Sequence, residues 1–357
     1  MLKIVETQPD KKWVFFGCPL DCDERCEAIE EKRTIEKKGG GIEDPYEGIM
    51  EIIRREVDPS LWIEKGSLSV PGRLLPFPPV EAREEISTGE AVAFLDQDGC
   101  RDYADRVGAF IAKEIFPDLP CLLAIDHALT GGAYRQLSEG YHPEEISLIV
   151  LDSHTDALPM DLLAGIIQYD LETNPQTLYD PEDPFIRNRF DSYNASSFLN
   201  HLLENGSIKP RNLFLLGIGD YPPKQAFRNK DPRVKRYRDH FLRLKDRGVT
   251  LLTKSDLVLN ASKVKSVLKQ IKTPLLYISI DLDIGAGNAL QGVRFLDRQG
   301  LNEPQLFRVV GYLRDLLGRG MKLAGLDLTE INARQAGQDQ TYRIAADIIK
   351  KLLWGAY

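Results

Sequence analysis

Long apolar runs are missing from this sequence: no stretch of about eighteen uninterrupted apolar residues, the length a membrane-crossing helix needs, occurs in it. The opening residues, Met1 to Glu6, lack the apolar middle of a signal peptide. Positive charge is in short supply too, with 46 Lys and Arg against 54 Asp and Glu and a net charge of −8. That balance speaks against nucleic acid or an anionic membrane as partner, because both select a basic face. The basic run from Arg233 to Arg247 reads as a solvated helix face. Five cysteines in 357 residues, an odd number, make no disulfide framework. Cys18, Cys22 and Cys26 recur every four residues, but this is no familiar iron–sulfur spacing and no fourth ligand stands nearby, so reduced thiols are expected. Internal repeats, low-complexity tracts and linkers rich in Gly, Ser or Pro are absent as well. The expectation is a soluble, cytoplasmic, single-domain protein over residues 1–357, with 43% hydrophobic residues to build its core.

What is present is a regular alternation of apolar strands and amphipathic helices. A first strand runs from Lys11 to Gly17, a glycine break follows at Gly39 to Gly41, and Asp44-Pro45 caps a helix through Arg55. Val57 to Pro79 holds five prolines and reads as an irregular connection. Further strands are expected over 120–125, 147–152, 213–218, 250–252, 275–280 and 323–328. Helices are expected over 101–115, from Thr130, and near 196–204, 232–246, 261–271, 303–317 and 341–353. This order implies a three-layer α/β/α fold with a mostly parallel sheet of about eight strands. In such sheets ligands bind beyond the carboxyl ends of the strands.

Four strand ends carry unusual residues. Asp126-His127 follows the strand 120–125, and Asp152-Ser153-His154-Thr155-Asp156 follows the next strand. Asp281-Leu282-Asp283 closes 275–280, and Thr329-Glu330 closes 323–328. Residues two apart on an extended chain point the same way, so Asp152, His154 and Asp156 can converge on one point. Any one aspartate after a strand is an ordinary turn or capping residue. Asp126, Asp152, Asp156, Asp281, Asp283 and Glu330 together would repel one another severely unless cations neutralised them. Two divalent ions about 3.5–4 Å apart with shared carboxylates suit so many donors better than one.

Taken in order, Asp126-His127, Asp152 to Asp156, Ser279-Ile280-Asp281-Leu282-Asp283 and Glu330-Ile331-Asn332 resemble the ureohydrolase superfamily of arginases, agmatinases and formimidoylglutamases. Phe16 to Asp21 is similar to its first strand and turn, and Asp339-Gln340-Thr341 with the helix after it to its C-terminal end. The resemblance implies an arginase-like fold and two divalent metal ions, Mn2+ first among them. Metal A would take His127, Asp152, Asp156 and Asp281; metal B would take Asp152, His154, Asp281 and Asp283. It further implies that Asp156 serves the attacking water and shuttles its proton, and that Glu330 orients a small cationic guanidino or amidino substrate. The activity implied is hydrolysis of a C–N bond in a linear amidine, with release of urea or a similar product. A homo-oligomer, trimer or hexamer, is implied as well.

Departures from the pattern concern the substrate rather than the metals. Asn194 stands where the family carries a histidine that assists proton transfer, and an amide cannot transfer protons at neutral pH. His201, one to two helical turns onward, is a substitute or else a surface histidine. Residues 157–193 are expected to be an inserted lid or loop, and its Asp161, Asp170, Glu172, Asp180, Glu182 and Asp183 either meet a cationic substrate or face solvent. The segment after Asp283 lacks the proline signals usual there. Two alternatives therefore stand beside the hydrolase: a metal-binding or regulatory pseudoenzyme of the same fold, and a single-zinc deacetylase-like amidohydrolase.

Overall fold

The apolar runs of the sequence become strands β1 (Trp13–Cys18), β3 (Leu119–Ala124), β4 (Ile146–Leu151), β5 (Leu213–Ile218), β6 (Thr250–Thr253), β7 (Leu275–Asp281) and β8 (Lys322–Thr329), with β2 (Trp62–Ser67) as an eighth. A computed structural model describes residues 11–34, 44–184, 189–296 and 299–355; the glycine break at 39–41 lies outside them. The strands form one sheet in the order β2-β1-β3-β8-β7-β4-β5-β6, and every pairing is parallel.

β2 corrects the irregular connection expected between Val57 and Pro79. It is an edge strand whose residues after Trp62 are only partly covered, so it carries Glu64 and Lys65 where an interior strand would be apolar. Pro59 and Pro71 lie outside it and leave its hydrogen bonds to β1 intact.

Successive residues face opposite sides of the sheet, and each side has its own core. Phe15, Ile149, Leu151, Ile278, Ile280 and Leu328 face the helices Pro45–Glu56, Ala261–Leu268, Glu303–Leu317 and Thr341–Trp354. Val14, Phe16, Leu122, Leu148, Val150 and Tyr277 face the helices Gly99–Phe110, Leu129–Tyr141, Phe198–Glu204 and Pro232–Asp246. Burying a side chain of this kind contributes about 1.5–3 kcal/mol. Local signals agree with these bounds. Asp44 accepts from the Tyr46 amide at 2.9 Å, and Asn302 and Gln305 cap each other reciprocally. Gly132 is where the helix after β3 touches its neighbour: a Cβ there would stand 1.8 Å from the Ala104 carbonyl oxygen. Any larger residue would push away the helix that follows Asp126-His127.

Residues 157–193 begin with a helix, Met160–Thr173, packed on Pro232–Asp246. Asp161 pairs with Arg236 at 2.6 Å and Glu172 with Arg233 at 2.7 Å, so these acids and the basic helix face satisfy each other at the surface. Deeper in, Arg189 reaches Glu24 at 2.5 Å and Asp96 at 2.8 Å, and Asp183 accepts from the Cys26 amide at 2.8 Å. The described part of the segment is thus tied down from both ends; residues 185–188 are outside the description.

Candidate metal centre

The four strands whose ends carry the acidic motifs are neighbours at the middle of the sheet, in the order β3, β8, β7, β4. Their carboxyl ends therefore open on one place. His127 Nδ1 lies 2.7 Å from Asp156 Oδ2, 3.2 Å from Asp281 Oδ2 and 3.3 Å from Asp152 Oδ2. His154 Nδ1 lies 2.7 Å from Asp283 Oδ2 and 3.7 Å from Asp152 Oδ1. The side chains fall into two donor groups, one of His127, Asp152, Asp156 and Asp281 and the other of Asp152, His154 and Asp283. Asp152 is common to both, whereas Asp281 joins only the first.

Backbone geometry produces this convergence. Asp152 Oδ1 accepts from the His154 amide at 2.6 Å, and Asp281 Oδ1 from the Asp283 amide at 2.8 Å, so each turn fixes its own carboxylate and leaves the second oxygen pointing inward. The Ser153 amide and hydroxyl bind Asp283 at 3.1 Å each and join the β4 and β7 turns. Thr155 donates through both amide and hydroxyl to Asp220 at the end of β5. Gly217, at φ 110°, makes room for the β4 turn: a Cβ there would stand 2.7 Å from the Asp152 carbonyl oxygen. Asp156 and Glu330 have left-handed backbones, φ 50° and 61°, a conformation that costs roughly 1–2 kcal/mol for a residue with a side chain. Two such residues at the same sheet edge mark a site whose geometry is held by its surroundings.

Electrostatics identify what this geometry lacks. Two unit charges 4 Å apart repel by about 4 kcal/mol at an effective dielectric of 20, and the cluster has several such pairs. Burial, then Asp156 and Asp283, pushes the Asp152 carboxyl well above its ordinary value. Burial, then Asp283 and Asp152, does the same to Asp281. Burial pulls the His127 imidazole down, but contacts with Asp152, Asp156 and Asp281 outweigh it, and the group sits well above its ordinary value. Protons thus serve the cluster where positive charge is missing. His127 Nδ1 and Asp152 Oδ2 have no hydrogen-bond partner although both are buried. Orphaned atoms of these two types, aimed at one another, are what a divalent cation satisfies, and the residues fit such an ion.

Behind the two donor groups stands a relay that sequence reasoning did not anticipate. Tyr277 OH donates to Asp327 Oδ2 at 2.7 Å, and Ser279 Oγ donates to Asp327 Oδ1 at 2.6 Å. With its proton so committed, Ser279 Oγ accepts from His127 Nε2 at 2.9 Å, which leaves Nδ1 to the acids: it carries a proton in the cation-free cluster and offers a lone pair when a cation takes that proton's place. The signal was available: Asp327 is an ionisable residue within the apolar run Leu323 to Leu328 and is fully buried. The Phe198 ring packs on the other side of the His127 imidazole, centroids 5.0 Å apart.

The remaining sequence candidates lie elsewhere. Asn194 donates to Ser192 and accepts from the Ser196 amide at 3.0 Å, so its side chain holds the turn before the helix Phe198–Glu204. His201 packs on Tyr193, with Arg101 at 3.4 Å, and burial followed by Arg101 lowers its pKa; it belongs to neither donor group. Glu330, by contrast, borders the cluster: its Oε1 accepts from the His127 amide at 3.1 Å. Burial, together with Asp281 and Asp126, raises its carboxyl against the pull of Arg294. The cysteines of the every-four pattern separate. Cys18 is inside β1, Cys26 begins a helix, and Cys22 lies 3.2 Å from Cys100 and donates to Asp126 at 2.8 Å.

Among solved structures, formimidoylglutamase from Bacillus subtilis subsp. subtilis str. 168 is similar at TM-score 0.58 and 16% identity, covering 96% of this chain and 86% of that one. Arginase from Bacillus subtilis is similar at 0.58 and 16%, covering 96% and 98%. Trypanosoma cruzi formiminoglutamase with Mn2+2 is similar at 0.57 and 14%, covering 98% and 95%. At these identities the likeness is one of fold. No curated protein sequence matches. No helix among the described residues is long and apolar enough to cross a membrane. The sequence pattern of the Arginase family matches residues 80–355, most of the chain and all four motif-bearing strand ends. With that match and the likeness of fold, this chain belongs to the Arginase family.

Proposed function

We propose that this protein hydrolyses a C–N bond of a linear N–C(=X)–N group at a pair of divalent cations, manganese first among them. X is nitrogen in the guanidino and amidino compounds that the family resemblance suggests, and oxygen in a ureido group. The observation that carries the reading is the pair of donor groups sharing Asp152, with His127 Nδ1 and Asp152 Oδ2 unpartnered at their meeting point. Two groups favour paired cations over a single-zinc deacetylase site.

His127, Asp152, Asp156 and Asp281 would hold one ion, and Asp152, His154 and Asp283 the other. Two bound cations supply acidification of a water molecule to near-neutral pKa and polarisation of the trigonal carbon. The chain's own residues do the rest. Asp156, strained at φ 50°, presents a carboxylate that receives the proton of the attacking water and returns it to the departing nitrogen. Glu330, beside the cluster at the end of β8, positions the terminal nitrogen of the substrate. Asp327 and Ser279 hold His127 in one tautomer.

The test is metal analysis coupled to an assay for ammonia, urea or amine release over guanidino, amidino and ureido compounds. Turnover that depends on added manganese supports the reading. Silence across the panel with cations bound overturns it and favours the pseudoenzyme, a second reading that the commitment of Asn194 to its turn already recommends. Ser279→Ala checks the relay: it is expected to weaken manganese affinity about 10–100-fold, the usual effect of losing an outer partner of a ligating histidine. Unchanged affinity by calorimetry would remove the relay from the account.

A further inference from the structure

The carboxylate that would orient a substrate guanidinium already holds one, and it belongs to the chain. Arg294 Nη1 lies 3.3 Å from Glu330 Oε1 and 3.3 Å from Asp126 Oδ2, with the Arg294 side chain 6% exposed and that of Glu330 2%. Its Nε lies 3.8 Å from Asp21 Oδ1, itself 3.3 Å from Lys32 Nζ.

This arginine is not on a loose loop. The Arg294 amide donates to the Glu330 carbonyl at 3.0 Å, Val293 forms an antiparallel bridge with Ile331, and the Asn332 amide donates to the Gly292 carbonyl at 3.0 Å. Asp339 accepts from the Gln291 amide at 2.8 Å, and Arg25 donates to the Arg294 carbonyl at 3.1 Å. A Cβ on Gly292 would stand 2.3 Å from Ala336 Cα, so the segment lies directly against its neighbour. The guanidinium is built in beside Glu330, and a latch that swings away would need all of these contacts to break.

We propose that Arg294 determines specificity by excluding a cationic guanidinium from Glu330, so that the site takes an uncharged linear ureido group. The proposal rests on the hydrolytic reading above and fixes X as oxygen. A guanidinium is a planar fork of donors that is best met by two carboxylate oxygens and an uncompensated negative charge. Here Glu330 Oε1 serves Arg294 and the His127 amide, and only Oε2 is left without a hydrogen-bond partner. One unpartnered acceptor beside a fixed cation matches the –NH2 of a ureido group, which can direct a single N–H at it and brings no charge. In the reaction, water adds to the carbonyl carbon of R–NH–C(=O)–NH2, the bond from that carbon to one nitrogen breaks, and the departing nitrogen takes a proton from the water. The products are an amine or ammonia and a carbamic acid, which loses carbon dioxide.

The experiment compares manganese-loaded wild-type protein with Arg294→Gln, which keeps one donor and removes the charge. Each is titrated calorimetrically with methylguanidinium and methylurea, and each is assayed on butylguanidine and butylurea. The wild type is expected to bind methylurea more tightly and to turn over butylurea alone. Arg294→Gln is expected to bind methylguanidinium at least tenfold more tightly than the wild type, and Arg294→Gln with Glu330→Gln is expected to lose that gain. Wild-type hydrolysis of butylguanidine as fast as butylurea would overturn the proposal. So would methylguanidinium binding that does not respond to Arg294→Gln. If the variant fails to fold, the wild-type comparison of the two probes decides alone, and failure to bind either counts against the proposal. Should no compound turn over while the binding preference and its switch hold, the hydrolytic reading fails and the role of Arg294 stands.

Discussion

Asp152→Ala is expected to cost the protein both cations and at least about 100-fold in any manganese-dependent activity, more than the loss of an outer-sphere partner would cost. The reason is position. Asp152 belongs to both donor groups, with Oδ2 3.3 Å from His127 Nδ1 and Oδ1 3.7 Å from His154 Nδ1. His154→Ala removes one member of one group, so it should lower manganese content by one equivalent and leave the other. Asp281→Ala should act on the His127 group first, because Asp281 is absent from the other. The substitution at Asp152 also relieves crowding among buried carboxylates, so the cation-free variant should not melt below the cation-free wild type by more than the roughly 1 kcal/mol of the lost His154 amide bond. Manganese content by elemental analysis and melting with and without manganese provide the check; unchanged metal content in Asp152→Ala would sink the shared-ligand assignment.

Cation-free protein should lose stability as pH rises from about 5 to about 8, and manganese should remove most of that loss. The sign follows from the direction of each shift. Asp152, Asp281 and Glu330 have carboxyl pKa values well above their ordinary range, and His127 lies well above an ordinary imidazole. Each group therefore binds its proton more tightly in the folded chain than in the unfolded one. The stability it contributes is fully present below its unfolded pKa, about 4 for the carboxyls and about 6.5 for His127, and is lost as pH climbs through the folded value. Manganese binds only the deprotonated cluster, so its stabilisation grows over the same range; at 100 times Kd it amounts to about 2.7 kcal/mol per site. Thermal melts in chelator and in manganese across this pH range read both curves. A cation-free stability that rises towards pH 8 would mean that the acids are not sharing protons in the way described.

Much of the architecture is legible in the sequence, and what is not has a common cause. β3, β4, β5, β7 and β8 are predominantly apolar and buried on both faces because both are covered by helices, and such runs stand out. β2 has one neighbour and a largely open face, so its alternation is diluted by charge. His127, Asp152, His154, Asp156, Asp281 and Asp283 are visible because a cluster of ionisable residues just past an apolar strand is expensive to bury and needs a reason. Arg294 is invisible by the same logic: it comes from a segment with no strand before it, and only the return of residues 291–294 along 330–332 brings its side chain to Glu330. Asn194, placed by position opposite the family's histidine, has a second job that position does not reveal: with Ser192 and Ser196 its amide braces a turn.

β8 is the last strand in the chain and yet sits at the centre of the sheet, between β3 and β7. Until it inserts, β2-β1-β3 and β7-β4-β5-β6 are two half-sheets with no hydrogen bonds between them. His127 travels with the first half, and Asp152, His154, Asp156, Asp281 and Asp283 with the second. During synthesis the acids can therefore gather on their half while the imidazole that completes the first donor group waits for the C-terminal residues to emerge. The strand that delivers Glu330 is also the wedge that joins the halves, so completion of the first donor group and closure of the sheet depend on the same element.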